Sequence, residues 1–222
     1  MLELNKIYCM NCLDGLKQLP DNSIDLILTD PPYGINIGSK VGGDSPFGSK
    51  KCNVVPTNIA KVKEYTPFDD STIPSEEIFK EMFRVSKNQI IFSGNYFVEH
   101  LKNSPCWIVW DKDNSGNFAD CELAWTSFKT AVRKFKWRWN GMLQEKMNWK
   151  EKRFHPTQKP VPLFKWILEN YSEKDMIILD PFIGSGTTAI ACKQLGRKFI
   201  GFEISQKYVD IANKRLCQES LF

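Results

Sequence analysis

Short apolar runs alternating with helical stretches constrain this chain more than any other feature. Ile24–Leu28 (IDLIL) and Met176–Leu179 (MIIL) are runs of the kind buried on both faces of a parallel sheet. Lys6–Met10, Gln89–Ser93, Trp107–Trp110, Glu122–Phe128 and Lys198–Phe202 read as further strands. Helical spacing covers Asn11–Leu19, Ser75–Arg84, Leu163–Tyr171, Thr187–Leu195 and Gln206–Leu216. Strands alternating with helices predict an α/β fold, a Rossmann-like doubly wound and mainly parallel sheet. A chain of 222 residues can bury one such core but not two, so residues 1–222 are read as one domain. Gly34 to about Pro74 is rich in Gly, Ser, Lys and Asn and reads as a long loop, a feature that is usually functional inside a compact domain.

Composition excludes several classes. Hydrophobic residues at 42% and charged residues at 25% do not describe a disordered or fibrous chain. No apolar run approaches the ~20 residues a membrane-spanning helix needs, so no membrane partner is expected. The N-terminal residues Met1–Lys6 lack the layout of a signal peptide, which makes the cytoplasm the expected location. Seven scattered cysteines suit a reduced chain better than a disulfide framework. Cys9 and Cys12 form a CxxC, but no second pair follows and only two histidines are present, so buried thiols are expected and no metal site.

The net charge of +4 is unevenly placed. Lys129–Arg153 carries nine Lys/Arg and two Glu, and Gly38–Lys63 carries five Lys and one Asp. The rest of the chain is acidic. Two basic segments on an acidic body suit a polyanion such as nucleic acid, although two solvated loops would carry the same charges. Residues 34–74 and 112–154 are therefore the expected DNA-contacting segments. Lys40, Lys50, Lys51, Arg133, Lys134, Lys136 and Arg138 are the candidate phosphate or base contacts. The tryptophans at 137, 139 and 149 could stack on or wedge between bases, or pack against the domain.

Two strand ends carry chemistry. After Met176–Leu179 comes Asp180-Pro181-Phe182-Ile183-Gly184-Ser185-Gly186-Thr187-Thr188, then a helix, a strand and Glu203. Glycines in such a βαβ turn let backbone approach a ligand, the helix N-terminus offers amides to an anion, and an acid after the next strand can bond ribose hydroxyls. The third glycine of a dinucleotide fingerprint is missing, which favours a nucleoside without pyrophosphate, such as S-adenosylmethionine. A tight turn between packed elements is the plainer alternative.

After Ile24–Leu28 comes Asp30-Pro31-Pro32-Tyr33. The two prolines stiffen the segment and hold the Asp30 carboxylate, the Pro31 carbonyl and the Tyr33 ring in a fixed relation. That set matches one problem: the exocyclic amine of a nucleobase is a poor nucleophile because its lone pair is delocalised into the ring. A carboxylate accepting one N–H and a carbonyl accepting the other would pull the nitrogen toward sp³ geometry. The ring could hold the base by stacking, worth ~1–3 kcal/mol in single-strand binders.

Asp30-Pro31-Pro32-Tyr33, His155-Pro156-Thr157-Gln158-Lys159-Pro160 and the Asp180–Thr188 segment, in that order, resemble the β class of amino-group DNA methyltransferases. The resemblance covers roughly Lys6–Tyr33 and Gln89–Leu216. It implies the S-adenosylmethionine-dependent methyltransferase fold with a circularly permuted motif order, the catalytic motif preceding the cofactor motif. It implies S-adenosyl-L-methionine as cofactor and Asp30, Pro31, Pro32 and Tyr33 as the catalytic pocket. Asp180, Phe182, Gly184, Ser185, Gly186 and Thr187 would line the cofactor's methionine side and Glu203 its ribose. Asp30, His155, Thr157, Gln158 and Lys159 would border it too. Where relatives often carry Gly-Asp after the first strand, with the aspartate near the adenine, this chain has Met10-Asn11; Asn11 could accept a hydrogen bond there without bringing charge.

The function implied is methyl transfer to adenine N6 in a specific double-stranded DNA sequence after base extrusion. The Asp-Pro-Pro-Tyr version is associated with adenine and Ser-Pro-Pro-Tyr with cytosine N4. Cytosine N4, an RNA substrate and a catalytically silent DNA-binding subunit are the alternatives. The compact recognition region leaves open a short target, relaxed specificity, a homodimer or a specificity partner.

Overall fold

The computed structural model describes residues 2–34, 72–114, 119–140, 143–155 and 157–218. The N-terminal half holds β1 (Lys6–Cys9), α1 (Cys12–Lys17), β2 (Ile24–Thr29), α2 (Glu76–Val85), β3 (Ser86–Phe92) and β4 (Trp107–Asp111). Then come β5 (Cys121–Thr126), β6 (Arg133–Lys136), and a small hairpin of β7 (Trp139–Asn140) and β8 (Leu143–Gln144). The C-terminal half holds α3 (Val161–Tyr171), β9 (Ile177–Asp180), α4 (Thr187–Leu195), β10 (Lys198–Glu203) and α5 (Gln206–Gln218). Among the described residues no helix is long and apolar enough to cross a membrane.

Eight strands form one sheet in the order β1-β10-β9-β2-β3-β5-β4-β6. β1, β10, β9, β2 and β3 pair in parallel, as does β4 with β6, while β5 runs antiparallel to both of its neighbours. The carboxyl ends of the parallel strands therefore share one edge of the sheet with the amino end of β5.

Alternate residues along each strand feed two apolar layers, as the two-residue side-chain period requires. Ile90, Phe92 and Ile178 pack with Phe164, Ile167 and Ile190 of α3 and α4. Ile91 and Leu179 pack with Leu16, Phe79 and Met82 of α1 and α2. Phe92 and Phe164 stack with ring centroids 5.4 Å apart. This sandwich explains why the central runs read as continuously apolar.

Two elements depart from expectation. The strand expected at Gln89 begins at Ser86, directly after α2: Ser86 pairs with Ile24 of β2, and its hydroxyl donates to the Met82 carbonyl at 2.6 Å. Arg133–Lys136, read in the sequence for its candidate phosphate or base contacts, is the outermost strand, with the Phe135 and Trp166 ring centroids 5.2 Å apart. Among the described cysteines, Cys12, Cys106 and Cys192 are buried, whereas Cys9, Cys121 and Cys217 are exposed, so the CxxC does not pack as two buried thiols; Cys52 lies outside the described residues.

Candidate active site

Chain direction across the sheet divides between β9 and β2. From β9 the chain crosses through α4 to β10 on one side, and from β2 it reaches β3 on the other. Open α/β sheets bind ligands outside the carboxyl ends of strands at such a point. Here those ends bear Asp30 and Asp180, and a cavity of about 440 Å³ lies over them. Asp30, Pro31, Pro32 and Tyr33 line one part of it, and Asp180, Phe182, Gly184, Ser185, Thr187 and Glu203 another. The two motifs share one cleft.

Asp30 is held from behind. Lys159 Nζ donates to Asp30 Oδ2 at 2.5 Å and lies 3.1 Å from Glu122 Oε2, while Lys112 pairs with Glu122 Oε1. The Lys159 side chain is 5% exposed. Asp30 Oδ1 is buried and has no hydrogen-bond partner. Burial pushes the Asp30 pKa up; the Lys159 ammonium opposes the rise and the Glu122 carboxylate adds to it. Burial works against the charge on Lys159, but Asp30 and Glu122 outweigh it and hold the ammonium protonated. Burial likewise opposes the charge on Glu122, yet Lys159 and Lys112 bring its pKa below the ordinary value. Tyr33 stacks on Tyr96 of the turn after β3, ring centroids 5.1 Å apart.

The glycine turn is tied to both neighbouring strands. Asp180 Oδ1 accepts from the Thr29 hydroxyl at 2.7 Å and the Phe182 N–H at 3.0 Å, and Oδ2 accepts from the Thr188 hydroxyl. Burial lifts its pKa to about 6 despite these donors. The Asp180 carboxylate thus links the residue before Asp30 to the first turn of α4. Glu203 receives the Gly184 N–H on Oε2 at 3.1 Å and the Ser205 N–H on Oε1 at 2.8 Å, and burial raises its pKa. These bonds orient a carboxylate toward the cavity while leaving lone pairs for a diol.

His155 and residues 157–159 form a third side. His155, Thr157, Gln158 and Lys159 line the cavity. His155 Nδ1 lies 2.9 Å from the Thr157 hydroxyl and accepts the Thr157 N–H at 3.2 Å. Burial, helped by nearby Lys159, lowers its pKa to about 4, so the ring is neutral at pH 7. Gln158 Oε1 accepts from Phe154 N–H and from the Ser185 hydroxyl, and the Thr187 hydroxyl donates to the Lys159 carbonyl at 3.3 Å. Arg215 of α5 donates to the Ser185 carbonyl at 2.6 Å and pairs with Glu151 at 3.1 Å. Gln158, Ser185 and Thr187 therefore clamp the segment to the glycine turn.

Two expected cofactor contacts lie outside the cavity lining. Asn11 caps α1, its Oδ1 accepting the Leu13 N–H at 2.8 Å. Gly186 has φ +88°, and a Cβ built there would stand 2.8 Å from the Ala212 Cβ. Its bareness serves the packing of α4 on α5, whereas a Cβ on Gly184, at φ +52°, would meet only the Phe182 carbonyl oxygen, at an ordinary contact distance of 4.0 Å.

The basic candidates divide similarly. Lys40, Lys50 and Lys51 lie outside the described residues. Arg133, Lys134 and Lys136 stand on the edge strand β6, with Arg138 just beyond. Lys134 pairs with Asp111 at 3.3 Å, Lys136 with Asp113 at 2.8 Å, and Arg138 with Asp113. Trp139 is buried, donating Nε1–H to the Gln158 carbonyl at 2.9 Å, and Trp137 stacks on Phe135. Trp149 is 85% exposed.

Sequence reasoning missed Glu122, Lys112, Thr29 and Arg215. The signal for Arg215 was a charge on the buried α5 face set by Tyr208, Val209 and Ala212. The signal for Glu122 was a carboxylate leading an apolar strand.

Such a sheet, with a rigid carboxylate and a glycine turn facing each other across the switch point, defines a nucleoside-cofactor enzyme acting on an amine. Comparison with known proteins makes this specific. Residues 124–214 match the N6/N4 DNA methylase family. The type II methyltransferase M.HinfI of Haemophilus influenzae is 31% identical over 96% of this chain and 68% of its own length. M1.MboII of Moraxella bovis is 32% identical over 96% of both chains. The crystal structure of the M1.HpyAVI–SAM complex aligns at a TM-score of 0.56 and 26% identity, covering 95% of this chain and 98% of that one. The cytosine-N4-specific PvuII DNA methyltransferase, 17% identical, shares the fold at a TM-score of 0.58. The chain belongs to the amino-group DNA methyltransferase family, and its cofactor is S-adenosylmethionine. The site fits that cofactor: Glu203 offers acceptors to a ribose, and the open turn at Gly184 admits close approach.

Proposed function

We propose that this methyltransferase acts on adenine N6 in double-stranded DNA, with the target base extruded into the cleft. The observation that carries the reading is Asp30 Oδ1, a buried carboxylate oxygen without a partner on the cavity wall. Buried acceptors are nearly always satisfied, so an orphan beside a cavity marks the place of a donor. An exocyclic amine is such a donor. When bound, S-adenosylmethionine supplies a sulfonium methyl; the amine nitrogen forms the N–C bond as the S–C bond breaks, the electron pair returns to sulfur, and one amine proton is shed.

The chain's own residues do the rest. Asp30 Oδ1 accepts one N–H and the Pro31 carbonyl the other, freeing the nitrogen lone pair. The same Oδ1, raised in pKa by burial, is suited to receive the shed proton. Tyr33 holds the base by its ring, and Glu203 and the Gly184 turn hold the cofactor. No cysteine is needed, because no covalent enzyme intermediate forms.

The adenine assignment rests on Asp in place of Ser before Pro31-Pro32-Tyr33. The second reading, cytosine N4, uses the same amine chemistry. Mass spectrometry of nucleosides from DNA and RNA treated with the enzyme separates them: N6-methyl-2′-deoxyadenosine from DNA, with no methylated nucleoside from RNA, is expected, and N4-methylcytosine as the sole modified base would refute it.

A further inference from the structure

We infer that Glu122 is a positioning residue for methyl transfer, fixing Lys159 so that Asp30 presents only Oδ1 to the reacting amine. The inference rests on the methyltransferase reading above. Glu122 lies outside the lining of the cavity that the base and cofactor would share. It reaches the site because β5 runs against its neighbours. Cys121 pairs with Asp111, and Glu122 with Trp110, which brings the first residues of β5 to the edge where β2 and β4 end.

The resulting row alternates in sign: Lys112, Glu122, Lys159, Asp30. Glu122 Oε1 pairs with Lys112, and Oε2 stands 3.1 Å from Lys159, an electrostatic contact without hydrogen-bond alignment. Lys159 donates to Asp30 Oδ2. A buried ammonium with three donors and only one carboxylate is free to move between the two oxygens of that carboxylate. The second carboxylate prevents this by drawing the ammonium toward β5. Oδ1 is thereby left for the amine, and its charge is only partly neutralised. Removing Glu122 frees Lys159 to occupy Oδ1 and strengthens its hold on Asp30.

The charged and titratable groups around Asp30 are Lys159, Glu122, Lys112 and Asp180, with Tyr33 and His155 facing Lys159. Losing the Glu122 charge lowers the Asp30 pKa, since Glu122 now raises it.

The test is tritium transfer from S-adenosylmethionine to unmethylated genomic DNA by the wild-type chain, Glu122→Gln and Glu122→Gln/Lys112→Met. Glu122→Gln should lower kcat by about 10- to 100-fold, by analogy with the loss when partners that orient metal-ligating side chains are removed. Its KM for S-adenosylmethionine should stay within about twofold, and the acid limb of its kcat profile should move to lower pH. The double variant removes the lysine that the single variant orphans; it should fold and remain slow, because Lys159 still lacks its second carboxylate. Full turnover in either variant, or an unmoved acid limb, overturns the role of Glu122, because a purely structural ion pair to Lys112 is relieved in the double variant. A wild-type chain that transfers no methyl to DNA overturns the methyltransferase reading itself.

Discussion

At the residue scale the site depends on a few carboxylates whose protonation is set by burial. Asp30→Ala should lower methyl transfer by at least ~10²-fold, the cost of deleting one preorganised stabilising group, while S-adenosylmethionine binding by calorimetry survives. Unchanged turnover would remove Asp30 from the chemistry. His155 and Asp180 give opposing pH terms. The folded pKa of His155 lies near 4, below its ordinary 6.5, so between these values the unfolded chain binds more protons and stability falls on acidification. Asp180 is raised from 3.8 to about 6, so the folded chain binds more protons there and stability falls as pH rises. His155→Gln removes the first term and leaves the second. Its melting temperature should decline less than the wild type's between pH 6.5 and 4.5; an equal decline would mean that His155 does not titrate as its burial demands.

At the element scale the two glycines of the turn separate by role. Gly186→Ala combines a left-handed backbone with a contact on Ala212, so it should destabilise the fold by about 1–3 kcal/mol. For a chain of this size that lowers the melting temperature by ~2–4 °C per kcal/mol. Gly184→Ala meets no obstacle and carries only the backbone penalty, about 1–2 kcal/mol. The larger loss for Gly186→Ala in parallel melts is the expected order; the reverse would place the crowding elsewhere. Gly-x-Gly was legible in the sequence as a turn, but which glycine lines the cavity and which packs on a helix was not, because the chain supplies Ala212 of α5 only after it has crossed the sheet again. The cap at Asn11 is local, its Oδ1 accepting the Leu13 N–H; what was not legible is that the cavity is lined without it, because that lining is assembled from distant parts of the chain.

At the scale of the molecule Lys134 and Lys136 of β6, with Arg138 just beyond, lie on the sheet edge, paired with Asp111 and Asp113. Solvent-exposed pairs of this kind are weak and exchange partners readily, so a phosphate can replace either aspartate. If β6 meets DNA, log affinity falls linearly with log salt, and Lys136→Ala should reduce that slope by about one. Filter binding over a salt series checks this; an unaltered slope leaves β6 as a solvated edge. Trp149, exposed beside Lys146 and Lys150, should contribute to DNA affinity and not to cofactor binding. Trp149→Ala tested against both ligands decides it.

Short-range pattern carried much of this protein. Apolar runs of strand length, helical spacing between them, a proline-stiffened acid after β2 and a glycine bend after β9 each span only a few residues, where local sterics and hydrophobic period govern the outcome. What tertiary structure alone decided was which charges meet. Lys159, Asp30 and Glu122 come from distant parts of the chain and converge because β9 adjoins β2 and because β5 is reversed. Strand order and direction follow from burial of both sheet faces by the whole chain, and no local window of sequence contains them.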